Sequence, residues 1–387
     1  MMVWISELCN HVVEAIETTT LNVDNELTPS VLKAMPKIDL HRHLEGSLRL
    51  GTLLEIAREF GLSLPATSLD GLRPYVQITD DLPNHEVFLS KFEVLRHFYR
   101  SPEAVSRLAY EVVADAAADN VRYLELRFSP QALSRVCGFA LEDVTDWVID
   151  AVRRASQDHD IEVGLIVTLV RHDPIAQARE VAKVAFDRCG KGIVGIDLAG
   201  NEVKFPPAPF KPIFKEAKEI GLGITIHAGE WTSAFGVQQA IEELYAGRIG
   251  HGVRAMENSE VLQLVRERNV ALEVCLTSNL QTGVVRSLSH HPLVDMLNVG
   301  LLATLNTDDP SISDCTLTDE YLKATQVLSL TYADLRHMLL NAAAAAFLPA
   351  VDRQRLVTWF EKALPLSTCN NGYPTCAKRI PNPLKPV

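Results

Sequence analysis

Eight short apolar runs, separated by stretches of helical periodicity, restrict this chain's possible folds more than any other feature. They lie at residues 38–43, 121–128, 163–170, 193–198, 223–227, 248–251, 271–275 and 301–306. Amphipathic patterns fall between most of them, at 141–157, 176–189, 210–220 and 237–246. Strands that are apolar on both faces and alternate with helices predict parallel β-structure covered on both sides. Eight of them favour a (β/α)₈ TIM barrel over an open doubly wound sheet. Helical patterns at 319–330 and 332–347 close the shell.

The rhythm is broken once. About 75 residues separate the first run from the second, far more than a usual strand-to-helix connection. This interval holds a helix at 52–60 closed by Gly61, a loop at 62–85 with Pro65, Gly71, Pro74 and Pro83, and helices at 86–99 and 102–119. It reads as a helical lid inserted after strand 1. The expected organisation is therefore an N-terminal arm (1–35, with a helical pattern at 6–18), a barrel (36–364) and an extended tail (365–387). That tail carries Pro374, Pro381, Pro383 and Pro386.

Composition excludes several functions. The 387 residues are 47% hydrophobic, enough for a large core. A formal charge of −12 argues against nucleic acid as a partner. No apolar stretch has the length of a membrane span. Met1 to Thr20 carries Glu7, Glu14 and Glu17 without a basic segment, unlike a signal peptide. The seven cysteines are odd in number and contain no C-x-x-C, as in a reducing compartment. A cytoplasmic protein acting on a small molecule is expected, with its oligomeric state left open.

In a parallel barrel, chemistry gathers at the C-terminal strand ends. Here those ends read His41/His43, Arg127-Phe128-Ser129-Pro130, Arg171-His172-Asp173, Asp197 to Glu202, His227-Ala228-Gly229-Glu230, His251-Gly252, Thr277-Ser278-Asn279 and Thr307-Asp308-Asp309. Helix capping explains Asp308 or Ser278 taken singly, but not three strands ending in histidine. His41 and His43 share one strand face, since side chains repeat every second residue. With His227 and Asp308 they form a nitrogen-rich donor set suited to Zn²⁺, with water completing five-fold coordination. His251 and Asp309 remain free to orient that water, and Glu230 to exchange a proton with whatever is attacked. Gly229, Gly250 and Gly252 leave room for close backbone approach. His172 reads as structural, His290-His291 as a solvated turn before Pro292, and Cys275 as core. No G-x-S-x-G elbow supports a nucleophilic serine.

The segments KIDLHRHLEGSLR, YLELRFSP, GIDLAGNE, ITIHAGE, RIGHG, EVCLTSNLQTG and TLNTDDP occur in this order between residue 37 and about 321. In them the chain resembles the adenosine deaminase family of metal-dependent amidohydrolases. The resemblance implies one zinc per barrel on His41, His43, His227 and Asp308. It makes Glu230 the proton donor to purine N1, and His251 the residue that activates or orients the hydroxide. Asp309 would touch the water and the N7 side, and the Gly200 N–H would meet N3. His43, Glu45, Phe88 and Phe92 would also line the substrate, the last two from the lid helix with Leu89. The implied reaction is hydrolytic deamination of adenosine and 2′-deoxyadenosine to inosine and ammonia, within purine nucleotide metabolism. Adenine, N6-methyl-AMP and aminofutalosine deaminases are the alternatives inside the family, and a non-catalytic nucleoside-binding barrel the one outside it. Glu45 stands where animal members have aspartate, and Asn201 where they have an acidic residue; both bear on substrate rather than reaction. His43-Leu44-Glu45 reads as an H-x-E, but the P-C-x-x-C that accompanies it in cytidine-deaminase zinc sites is absent.

Overall fold

A computed structural model describes residues 27–365. Eight strands run in chain order around one sheet: β1 (Lys37–His43), β2 (Val121–Phe128), β3 (Glu162–Val170), β4 (Ile193–Ala199), β5 (Gly223–Ala228), β6 (Arg248–His251), β7 (Ala271–Val274) and β8 (Leu302–Leu305). Every neighbouring pair from β1/β2 to β7/β8 is parallel. The expected TIM barrel is therefore present, with strand bounds within one or two residues of the apolar runs.

The barrel closes between β8 and β1 by a different device. No regular ladder joins them; a single bridge pairs Arg42 with Asp308. Side chains supply the rest of the seam. Asn306 Oδ1 accepts from Leu40 N–H at 2.9 Å, and Thr307 Oγ1 donates to Asp39 Oδ2 at 2.7 Å. Asp308 N–H donates to the His41 carbonyl at 2.7 Å, and His43 N–H to the Asp308 carbonyl at 2.8 Å. The seam thus locks the backbone of three residues expected to share one metal.

Helices occupy the intervals between strands. Leu50–Glu59, His85–Leu95 and Pro102–Ala118 match the expected lid region, and a fourth, Leu69–Val76, crosses what the prolines and glycine mark as loop. Ser68 starts that helix by accepting from Gly71 N–H. Pro74 is tolerated because the helix ends two residues later, so little hydrogen bonding is lost. Ala234–Leu244 begins earlier than the apolar pattern suggests, with Ser233 as its N-cap. Thr277 to Asn279 do not extend β7; they open the short helix Leu276–Gln281.

Of the N-terminal arm, only residues from 27 on are described. Its helix Pro29–Ala34 packs Leu32, followed by Met35, into the main core. Lys37 Nζ caps the helix by donating to the carbonyls of Leu32, Lys33 and Met35 at 2.9–3.1 Å. The helical pattern at 6–18 and nearly all of the tail lie outside the described residues. Among those described, no helix is long and apolar enough to cross a membrane.

Candidate active site

The strand ends converge as the histidine spacing predicts. His41 is fully buried, and its Nδ1 lies 2.7 Å from Glu273 Oε2. His227 Nδ1 lies 3.0 Å from Asp197 Oδ1. A carboxylate on Nδ1 fixes the proton there and turns the Nε2 lone pair inward. His41 Nε2 is buried without a hydrogen bond. Asp308 Oδ1 stands 3.2 Å from His41 Nε2 and 3.4 Å from His43 Nε2, while His43 Nε2 and His227 Nε2 are 3.2 Å apart. Ligands around a zinc ion with bonds of 2.0–2.1 Å are about 3.3 Å from one another at tetrahedral angles. The donor set therefore fits such an ion in both chemistry and spacing.

Among the described residues, one group of possible donors joins His251 to His41, His227 and Asp308, and a second joins His43 to Asp308 and Asp309. The environment of His251 differs from that of His41 and His227, because its Nδ1 faces the Asn279 amide at 3.1 Å instead of a carboxylate. His251 Nε2 lies 3.6 Å from Glu230 Oε2 and 3.8 Å from Asp308 Oδ2. Both His251 (φ 62°) and Asp308 (φ 67°) take left-handed backbone at a strand end. For side chains other than glycine this costs ~1–3 kcal/mol, a strain that clusters at functional sites. Gly250 makes the convergence possible: a Cβ there would sit 2.9 Å from His41 Cε1.

Glu230 belongs to a turn built around one carboxylate. Glu202 accepts the backbone N–H groups of Gly229 (3.0 Å), Glu230 (2.8 Å), Thr232 (2.9 Å) and Trp231, and also the Thr232 hydroxyl. That concave row of donors around an anion fixes the direction of the Glu230 side chain. Burial, and then repulsion from Asp308 and Glu202, pushes the Glu230 carboxyl well above its usual range. Its environment therefore favours the neutral, protonated form. Asp308 is held well below its usual range, because the nearby histidines outweigh its burial. Asp309 Oδ1 is buried without a partner, and a Cβ on Gly46 would come within 1.7 Å of it. Only glycine at 46 leaves the Asp309 carboxyl its place.

Glu45 is 5% exposed; Oε1 accepts from Ser129 N–H at 2.8 Å, while Oε2 has no partner. Burial pushes its carboxyl up to about 7. Gly200 ends the β4 segment with φ 98°. On the helix His85–Leu95, Phe88 is in the core and Phe92 half-buried against it. Asn201 caps its own turn, accepting from Val203 and Lys204 N–H. His172 is half-exposed beside Asp173. One expectation is overturned: His290 lies on the surface, but His291 is 4% exposed and bonded to Asn279, because Leu293 and Met296 draw the start of the next helix into the core.

Sequence reasoning missed the groups that hold the histidines. Glu273 also receives Arg127 at 2.8 Å and Arg248 at 2.6 Å. Its signal is a lone carboxylate inside an otherwise apolar run.

A parallel barrel with buried imidazoles and carboxyls converging at its strand ends has the architecture of a metal-dependent hydrolase. Comparison narrows the class. The adenosine deaminase family model matches residues 36–363. An adenosine deaminase of Klebsiella pneumoniae is 40% identical over 325 residues, covering 84% of this chain and 97% of that protein. The N6-methyl-AMP deaminase of Arabidopsis thaliana superposes with a TM-score of 0.76 at 29% identity, covering 87% of this chain and 99% of that one. A Burkholderia ambifaria amidohydrolase with bound Zn superposes with a TM-score of 0.79 at 25% identity, covering 88% and 96%. The chain belongs to the adenosine deaminase family and is a hydrolytic deaminase acting on a C–N bond.

Proposed function

We propose that this enzyme hydrolyses the C6 amino group of adenosine and 2′-deoxyadenosine, at one zinc held by His41, His43, His227 and Asp308. The observation that carries the reading is the 3.2–3.4 Å spacing of those ligand atoms beside the buried Glu230. When bound, zinc lowers the pKa of a coordinated water toward neutrality and so supplies a nucleophile. Glu230 hands its proton to N1 as C6 becomes tetrahedral. Asp309 meets the attacking water and the N7 side, and His251 orients the same water. The Gly200 N–H binds N3, Glu45 receives the 5′-hydroxyl, and His43, Phe88 and Phe92 enclose the base and sugar. The hydroxyl proton of the tetrahedral adduct passes to the amino group, the C6–N bond breaks and ammonia leaves, giving inosine or 2′-deoxyinosine.

The 40% identity to an adenosine deaminase favours nucleoside over the other substrates of the family. So does Glu45, whose carboxylate would face a 5′-phosphate with like charge. The unpaired thiols of Cys137, Cys189, Cys275 and Cys315 support a cytoplasmic location. The deciding experiment measures ammonia release from adenosine, deoxyadenosine, adenine, AMP and aminofutalosine, and methylamine release from N6-methyl-AMP, before and after chelation. Adenosine should be fastest, and chelation should abolish turnover. Faster release from adenine, AMP, N6-methyl-AMP or aminofutalosine, or full activity without metal, would overturn the reading.

A further inference from the structure

His251 connects to a polar chain that runs away from the reacting atoms. Its Nδ1 faces Asn279 Nδ2 at 3.1 Å, Asn279 Oδ1 faces His291 Nε2 at 3.1 Å, and His291 Nδ1 receives the Leu293 N–H at 3.1 Å. All three side chains are buried, Asn279 completely. A backbone N–H can only donate, so this last contact sets the direction of the others. His291 Nδ1 must be the acceptor, which leaves its proton on Nε2. That proton points at Asn279, which accepts through Oδ1 and presents its NH₂ group to His251. His251 Nδ1 must then accept, and the proton of the neutral ring sits on Nε2. Turning the Asn279 amide over would require a proton on His291 Nδ1, directly opposed to the Leu293 N–H. Burial keeps His291 neutral by pushing its pKa down to about 4, so it cannot escape this choice by protonating.

We infer that Asn279 and His291 are positioning residues that transmit the direction of the Leu293 N–H to His251 and hold it in the Nε2–H tautomer. The consequence for catalysis rests on the proposed deaminase reading. With its proton on Nε2, His251 is a hydrogen-bond donor between Glu230 and Asp308, 3.6 and 3.8 Å away. It steadies the attacking oxygen as charge develops, and it is neither a metal ligand nor a base through that nitrogen. His41 and His227, whose Nδ1 atoms face carboxylates, take the opposite tautomer. One strand-end cluster thus contains lone-pair histidines and a donor histidine, sorted by what lies behind each ring.

The test uses full-length, zinc-loaded protein with ¹⁵N-labelled histidine, whose nitrogen shifts report tautomers directly. Wild type should show His251 with a bare Nδ1 and protonated Nε2. Asn279→Asp, which offers only acceptors, should reverse that tautomer and lower kcat by at least ~10²-fold, with KM nearly unchanged, as wrong-tautomer variants of other histidine enzymes do. His291→Leu removes the donor to Asn279 and should shift His251 toward the reversed tautomer, while His291→Gln, which retains an N–H, should restore it. A protonated Nδ1 on His251 in wild type, or an unchanged tautomer in both Asn279→Asp and His291→Leu, would overturn the inference. If wild type deaminates no purine, the spectra still decide the tautomer, so failure of the functional reading is distinguishable from failure of the relay.

Discussion

Replacing Asp197 by Asn separates holding the proposed metal ligand His227 from holding the barrel together. Burial raises the Asp197 carboxyl, but His227 and Arg127 outweigh it and keep the group ionised, well below its usual range. Asparagine retains the shape and one acceptor oxygen, so the 3.0 Å contact to His227 Nδ1 can persist without charge. A charge-assisted hydrogen bond contributes about 1.5–3 kcal/mol and a neutral one about 0.5–1.5. The difference of about 1–1.5 kcal/mol makes His227 a poorer ligand by roughly tenfold. Looser ring orientation brings the expected loss of zinc affinity to ~10–100-fold. Arg127 loses a contact at 3.4 Å but keeps Glu273 and the Leu40 carbonyl, both at 2.8 Å. The metal-free protein should therefore unfold within about 1 kcal/mol of wild type. Glu273→Gln is the contrast, since it strips charge from the partner of His41, Arg127 and Arg248 together and should cost about 3–5 kcal/mol. Zinc competition against a fluorescent chelator, with denaturant unfolding of the metal-free forms, reads both quantities. Undiminished zinc affinity in Asp197→Asn, or instability equal to that of Glu273→Gln, would refute the reasoning.

Other changes have equally definite outcomes. Glu230→Gln should lower kcat by at least ~10²-fold and weaken substrate binding far less, because an amide still hydrogen-bonds N1; single-turnover kinetics within a few-fold of wild type would leave Glu230 a mere turn residue. At pH 8, where Glu45 is ionised, adenosine should exceed AMP by at least ~10²-fold in kcat/KM, from one charge-assisted bond gained and one repulsion avoided. Glu45→Gln should narrow that gap, and an unchanged ratio would remove Glu45 from the 5′ end. His291 resists protonation down to about pH 4, whereas the unfolded chain takes up that proton near 6.5. Its contribution is thus complete above pH 6.5 and is lost as pH falls toward 4, by roughly 3 kcal/mol in all. Denaturant titrations from pH 7 to 4 should show His291→Gln flattening that limb.

The barrel was legible because a strand covered on both faces is written as a run of apolar residues, and eight such runs leave few topologies. The strand-end histidines were legible for the same reason, since polar side chains stand out where an apolar run stops. What escaped has a common origin in distance along the chain. Nothing near Glu273 announces that His41, Arg127 and Arg248 will meet it, and nothing near His291 announces Asn279. The pair His290-His291 looks like a polar turn because helix burial depends on Leu293 and Met296 beyond it. The helix Leu69–Val76 was hidden by Pro74, whose effect depends on how soon the helix ends. The seam between β8 and β1 was unreadable because side chains of Asp39, Asn306 and Thr307, rather than a ladder, complete it.

Charge explains why these unannounced contacts matter to the proposed metal site. Inside the barrel Glu125 pairs with Arg248, Arg248 with Glu273, Glu273 with Arg127 and Arg127 with Asp197. His41 and His227 rest on the last two carboxylates and lead to Asp308. When ionised, the four carboxylates of this chain carry two more negative charges than its two guanidiniums offset. A divalent cation among the imidazoles cancels that excess without bringing in a further counter-ion. Uncompensated buried charge costs several kcal/mol, so filling the site and stabilising the fold become one equilibrium. The same balance gives Asp197→Asn its expected signature. Removing one of the excess charges relieves the metal-free barrel even as it weakens His227 as a ligand, and metal affinity falls while metal-free stability scarcely moves.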